Sequence, residues 1–329
     1  MITTAPTKKE NYAYSVALIR TLETMLLNDN EVDRMVLASN ANDAFKILNE
    51  FDYSDNTEGI TDPAKFQKVI NEGIVEIKQT LDKICPDKNV LNILWFSYDF
   101  HNIKTMLKAL LGGKSYEDIE DLISPLGAIA PEALRKFIFD EESAAFGLDE
   151  KMEEMIKEKI KKCKKLFEEE GKKPQVIDLY LDQKLIKAIY MTAIHSKNGF
   201  LIKYVKTLID LTNIRLFFRM RSQNKNKHLF KIALLWRGSI PYKKFLSAYN
   251  GTLAEFTDEM SATPYSDLIK EGYAHFEKEK NFIELEKGIE NYLTNYIKKA
   301  KQIPFGPEPL IAYYLAKKNN ALILRMILI

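Results

Sequence analysis

The chain has 329 residues, 46% hydrophobic and 29% charged, with 48 Lys and Arg against 46 Asp and Glu for a formal net charge of +2. That balance excludes a globally basic nucleic-acid binder and a charge-swollen disordered chain, and it supplies ample core material. Two isolated cysteines, Cys85 and Cys163, exclude a disulfide framework and a cysteine-based zinc site and suit a reducing compartment.

Only 13 Gly and 11 Pro punctuate the chain, and helical periodicity dominates it. Leu18, Leu22, Met25 and Leu26 form a first stripe, which Asn28, Asp29 and Asn30 stop. A second helix is expected to open at Asp62-Pro63, where Asp caps and Pro suits the first turn. Its stripe runs Phe66, Val69, Ile70, Ile74, Ile77, Leu81, Ile84, and Pro86 ends it. A third runs from Val90 to Leu111 and leaves through Gly112-Gly113. Shorter helices follow, broken by Pro125 and Pro131. Asp149 then caps a charged helix from Glu150 to Glu170, with Met152, Ile156, Ile160, Cys163 and Phe167 on one side and Glu153–Lys157 and Glu158–Lys162 as i,i+4 pairs. Further helices are expected at Gln175 to His195, Phe200 to Arg221, Glu277 to Lys301, and from Pro309 onward. No alternating strand pattern occurs, so the fold class is all-α.

The start of the chain lacks the apolar segment of a signal peptide. No run approaches the ~18–20 apolar residues of a membrane span, so no direct membrane span is expected.

Three segments resemble one another. Tyr98 to Leu107, Ile209 to Phe218 and Asn319 to Leu328 follow the pattern Asp-x-x-Asn-Ile-(Lys/Arg)-x-apolar-apolar. The residues are Asp99, Asn102 and Lys104 in the first copy and Asp210, Asn213 and Arg215 in the second. The third keeps Arg325 but has Asn320 and Ile323 at the Asp and Asn positions. The basic residues Lys104, Arg215 and Arg325 are 111 and 110 positions apart, the near-equal spacing that tandem duplication leaves. Asp and Asn at i and i+3 share a helix face and can bond a neighbouring backbone, while the basic residue lies off that face and can snorkel over the packed stem.

Catalytic signatures are missing. Gly112-Gly113-Lys114-Ser115 resembles the tail of a phosphate-binding loop, but Lys108 stands where that loop needs its first Gly. The acidic stretch from Asp52 to Asp62 lacks the Gly and the terminal Glu of a calcium loop. His101, His195, His228 and His275 are scattered and are read as surface or packing residues. Trp95 and Trp236 are read as core anchors rather than stacking platforms. No catalytic, cofactor-binding or metal-binding residues are expected, and no cofactor.

One charge anomaly stands out. From Leu211 to Ala254 there is no acid, against nine basic residues: Arg215, Arg219, Arg221, Lys225, Lys227, Lys231, Arg237, Lys243 and Lys244. The segment reads either as helix, solvated loop and helix neutralised from elsewhere, or as a positive surface for an acidic partner, with lipid headgroups or nucleic acid as further candidates. On the partner reading, Arg219, Arg221, Lys225, Lys227, Lys231 and Arg237 carry the contact, and charge reversal at Arg219 and Arg221 lowers assembly without unfolding.

The opening helix from Asn11 to Ala17 and from Ile19 to Glu23, the string Tyr98 to Lys104, and the closing stretch Pro309 to Lys318 with Arg325 to Leu328 together resemble the C subunit of bacterial and archaeal V-type (A-type) rotary ATPases, relatives of the d subunit of the eukaryotic vacuolar enzyme. The third copy departs from the family's Asn-Ile-Arg with Ile323-Leu324-Arg325. The resemblance implies three similar helical-bundle subdomains in a funnel with pseudo-threefold symmetry, here 1–111, 112–237 and 238–329, forming one continuous tandem-repeat domain. It implies a non-catalytic central-stalk rotor subunit that adapts the central shaft to the membrane proteolipid ring and transmits torque for ATP-coupled ion transport. Its partners would be the shaft subunits and the ring, without nucleic acid. Its place would be cytoplasmic, peripheral to the cell membrane through the complex. The alternative from the residues is a helical scaffold or nucleic-acid-binding module using the 211–254 segment.

Overall fold

A computed structural model describes residues 9–48 and 66–328. The expected start of a helix at Asp62-Pro63 and the acidic stretch from Asp52 to Asp62 lie outside the described residues. Among the described residues every regular element is helical, and the all-α class is borne out. The α-helices are α1 (Ala13–Glu23), α2 (Asp29–Val36), α3 (Ala41–Leu48), α4 (Phe66–Ile84), α5 (Asn92–Leu111), α6 (Pro131–Ile138), α7 (Glu150–Glu169) and α8 (Pro174–His195). They continue as α9 (Gly199–Ser222), α10 (Lys227–Ala233), α11 (Tyr242–Ala248), α12 (Leu253–Glu259), α13 (Ser266–Glu279), α14 (Ile283–Lys298) and α15 (Glu308–Leu328).

Local chemistry sets the boundaries. Asn28, which ends the first apolar stripe, also opens the next helix: its side chain accepts from Glu31 N–H while Glu31 reaches back to its backbone in a capping box. Pro131 and Pro174 occupy the first turns of α6 and α8. Asn198, Asn226 and Thr252 cap α9, α10 and α12. The single helix expected from Glu277 to Lys301 is instead split. Lys280 ends α13 at φ 52° in the left-handed region, and the Asn281 side chain takes the N–H of Ile283, so α14 begins there. The i,i+4 pair expected between Glu158 and Lys162 is also replaced. Glu158 meets its neighbour Lys159 at 2.8 Å, whereas Glu153–Lys157 forms at 2.6 Å.

The chain divides into two compact units, one reaching to Leu91 and resuming at Ile297, the other spanning Asn92–Tyr296. In the first, α15 packs against α1, α3 and α4. Ile19, Val69, Ile70, Leu81, Leu310 and Leu324 are fully buried there. Ser15 donates to Ile84 C=O at 2.6 Å, and the Arg20 guanidinium gathers the carbonyls of Ala300, Lys301 and Ile303, groups left over at the end of a helical turn. Burial pushes the Cys85 thiol up to about 12, so it is a packing residue rather than a nucleophile.

In the second unit, α8 is the central helix, packed by α5, α7, α9 and α10. Ile156, Ile160, Cys163 and Phe167 of α7 are buried as their spacing requires. Beyond α9 an aromatic core forms, in which Phe217 stacks on Phe256 at 3.7 Å and Phe230 on Tyr249 at 4.1 Å. Each such ring removes some 150–250 Å² from water, enough to dominate local stability.

Candidate functional site

The repeated pattern folds into a repeated device. In α5, the buried Asp99 carboxylate accepts the N–H groups of Ala128 and Ile129 at 3.0 Å each. One helical turn on, Asn102 accepts Ser124 N–H at 2.9 Å and donates to the Ser124 carbonyl at 2.8 Å. In α9 the same bonds recur: Asp210 accepts from Ser239 and Ile240, and Asn213 takes both backbone groups of Leu235. The sequence separations match bond for bond, 29 and 30 residues for the acids and 22 for the amides. Each helix thus holds, at two points, a loop that would otherwise carry unpaired backbone donors.

A glycine completes each clamp. A Cβ on Gly127 would sit 2.1 Å from Asp99 Oδ1, and a Cβ on Gly238 the same distance from Asp210 Oδ1. Only a residue without a side chain lets the loop come close enough for the carboxylate to reach the next two N–H groups. In the second copy Tyr265 O–H also donates to Asp210 at 3.0 Å. Burial raises the Asp210 carboxyl above its ordinary value, and these donors offset only part of that rise.

The basic residue does a different job from snorkelling. Lys104 forms an ion pair with Asp182 of α8 at 2.8 Å, and Lys108 meets Asp178 one turn away at 2.7 Å. Arg215 engages Glu286 at 2.5 Å and Glu290 at 3.0 Å, both on α14. In the third copy, Arg325 donates to Gln67 at 3.1 Å and Asn71 at 2.9 Å on α4. Arg215 and Arg325 therefore each address two side chains spaced i,i+4 on another helix, whereas in the first case Lys104 and Lys108 take one each. The acceptors are acids in the first two cases and amides in the third.

The basic segment is partly spent within the fold. Arg219 reaches Glu286 at 2.7 Å, Arg221 donates to the Gly251 carbonyl at 2.7 Å, and Lys227 donates to Asn250 at 3.0 Å. The Arg237 guanidinium lies 5.2 Å from the centre of the Tyr190 ring. Lys225 and Lys231 are exposed. Charge reversal at Arg219 or Arg221 would consequently strain the fold as well as any docking surface, and Lys225 and Lys231 are the cleaner positions to alter.

Trp95 is core, 2% exposed, but Trp236 is 58% exposed, which corrects its reading as a core anchor. The clamp explains the difference. Trp236 and Arg237 lie between the points held by Asn213 and Asp210, so they project from the loop. Arg237 sits at φ 80°, a left-handed conformation that costs a non-glycine residue on the order of 1 kcal/mol.

The periodic pattern within the helices did not reveal the partners of the clamp. The signal was nevertheless present, because Ser124 and Leu235, Gly127 and Gly238, and Ile129 and Ile240 are each 111 positions apart. Gln67 with Asn71 and Asp178 with Asp182 repeat at the same interval. Among the described residues no group of acids, histidines and cysteines is placed to hold a metal ion, and no helix is long and apolar enough to cross a membrane.

The sequence match reaches well beyond the two clamps: residues 15–329 match the family described as ATP synthase (C/AC39) subunit. The chain belongs to that family. The C subunit of the V-type sodium ATPase of Enterococcus hirae is 26% identical, with 95% of this chain aligned to 91% of the relative. The C subunit of the A-type ATP synthase of Methanocaldococcus jannaschii is 24% identical over 93% of this chain and 79% of its own length. That of Pyrococcus furiosus is 24% identical over 94% and 83%. As a C/AC39 family member the protein is a non-catalytic accessory subunit of an ATPase complex, and its partners are other subunits of that complex.

Proposed function

We propose that this C/AC39 family member is a central-stalk rotor component that joins the shaft of a V/A-type ATPase to its membrane proteolipid ring. The observation that carries the proposal is alignment over nearly the whole chain to the C subunits of V-type and A-type enzymes. It would sit on the cytoplasmic face of the ring and transmit torque, the bond-making steps belonging to other subunits.

Torque transmission requires stiffness, and the repeated features suit it. A loop bonded through four backbone groups to one helix has little freedom to shear, and close-packed helices resist deformation. On this reading Asp99, Asn102, Asp210 and Asn213 are frame residues. Lys104, Arg215 and Arg325 each tie one of three similar subdomains, at 1–111, 112–237 and 238–329, to a helix of another, and on this reading the three are arranged about a pseudo-threefold axis as a funnel. A nucleic-acid-binding role for the basic segment has less support, because Glu286 and Glu290 already engage Arg215 and Arg219.

The test is bridging. Purified shaft subunits and purified proteolipid ring should co-sediment when this chain is added and remain separate without it. Shaft and ring that associate equally well without it, or a folded chain that binds neither, would overturn the proposal.

A further inference from the structure

Between the two clamp points of the second copy, Trp236 and Arg237 are held outward over a cleft of about 380 Å³. Leu235 on one side has both backbone groups bonded to Asn213, and Ser239 and Ile240 on the other are bonded to Asp210. The loop cannot relax by turning these side chains inward, and Arg237 keeps its left-handed backbone. One face of the Trp236 indole rests on Tyr242 at 4.3 Å, and the side chain is otherwise largely uncovered. The first copy offers nothing comparable: the residues in register are Pro125 and Leu126, and Leu126 takes no positive φ.

Across the cleft, α8 contributes Lys184 and Lys187, and the lining contains no acid. Lys159 and Lys162 of α7 add their charge, while the acid acting on Lys184 is Glu158, itself bonded to Lys159. Burial and these like charges lower the Lys184 amine below the ordinary lysine range. A mainly apolar hollow of about 280 Å³, with Leu179 and Leu216, adjoins the cleft through the shared Ile186 and Leu235. Its one acid, Asp182, is already paired with Lys104. The Lys184 amine lies 4.6 Å from the centre of the Tyr180 ring rather than on a carboxylate, and cations in excess of acids beside an uncovered tryptophan and an apolar recess are the composition of a protein-binding hot spot. A rigid backbone reduces the ordering cost of docking.

We propose that this cleft docks an acidic segment of another protein of the complex, whose carboxylates meet Lys184 and Lys187 and whose apolar side chain covers Trp236. The recess beside the lysines suits carboxylates and an apolar side chain presented by one segment, a pairing that a phosphate headgroup or a sugar–phosphate backbone lacks, and the family's members are subunits of a multiprotein complex. The inference rests on the assembly reading and adds the chemistry of one contact to it.

The experiment uses the full chain carrying Trp236→Ala, or Lys184→Glu with Lys187→Glu, combined with the remaining subunits of the complex. Circular dichroism and melting should be unchanged, because the altered side chains are partly or largely exposed. Each variant should bind the complex about ten-fold more weakly or worse, with Lys184→Arg/Lys187→Arg retaining affinity. Fluorescence of Trp236 in the unmodified chain should become shielded from acrylamide on assembly, with buried Trp95 as the constant background. Variants that assemble within two-fold of the unmodified chain, or a Trp236 quenched equally in the complex, overturn the inference while leaving the assembly reading intact. An unmodified chain that fails to join the complex overturns the assembly reading itself, and this inference with it. Binding to phosphatidylglycerol vesicles or a single-stranded oligonucleotide that the same variants abolish overturns the choice of a protein partner.

Discussion

The loops held by α5 and α9 share their frame and differ in what they display. Both are fastened by an Asp to two successive N–H groups and by an Asn to both backbone groups of one residue, with a glycine against the carboxylate. Between those points one copy carries Pro125-Leu126 and the other Trp236-Arg237. Duplication has preserved the groups that satisfy buried backbone and freed those that face outward. The lesson is that a backbone clamp is constrained by geometry, since any replacement leaves donors unpaired, whereas a projecting side chain can diverge toward a particular partner.

The most severe way to break the comparison is to remove the acids. Asp99→Ala and Asp210→Ala should each destabilise the protein by roughly 3–5 kcal/mol, because each strands two N–H groups and empties a buried charged site. Urea unfolding followed by circular dichroism measures it. Near-wild-type stability for either would show that the clamp is ornamental. Filling the glycine space comes next. Gly127→Ala and Gly238→Ala should cost about 1–3 kcal/mol by overpacking. Gly238→Ala added to Asp210→Ala should cost much less than the sum, since the colliding oxygen is gone. Simple additivity would mean that glycine and acid act separately.

The ion pairs are weaker and distinguish the copies by salt. Arg215→Ala should lose about 0.2–1 kcal/mol at low ionic strength and less at about 1 M NaCl, the expectation for partly exposed pairs. Arg325→Ala, which gives up amides rather than acids, should lose a salt-independent amount. Identical salt responses would contradict the assignment of partners. The smallest effect is titration. The folded-state Asp210 carboxyl lies above its ordinary 3.8, so it retains a proton to higher pH than in the unfolded chain. Its contribution is fully present below the unfolded value and declines as pH rises through the folded one. The stability difference between the parent and Asp210→Asn should carry that slope, and a pH-independent difference would refute it.

The helices were legible because their signals are local. Asn198 and Asn226 cap, Pro131 and Pro174 open, and Ile156, Ile160, Cys163 and Phe167 fall on one buried stripe. The clamp acids were legible as a repeat, but their partners lie 22–30 residues away in loops without helical periodicity, where only the 111-residue recurrence marks them. Trp236 misled for a related reason. Its apolar neighbours suggest burial, and only the loop bonds reveal that it is held outside. The break between α13 and α14 depended on Asn281 capturing one backbone N–H, a choice that hydrophobic spacing does not encode.

The central claim, a non-catalytic rotor part, is tested most directly by tethering this protein within the working complex. Cross-linked covalently to the proteolipid ring, it should leave ATP hydrolysis and ion pumping intact, because the two turn together. Cross-linked to a stationary peripheral component, it should arrest both. Arrest by the ring tether, or full turnover with the stationary one, would contradict the account.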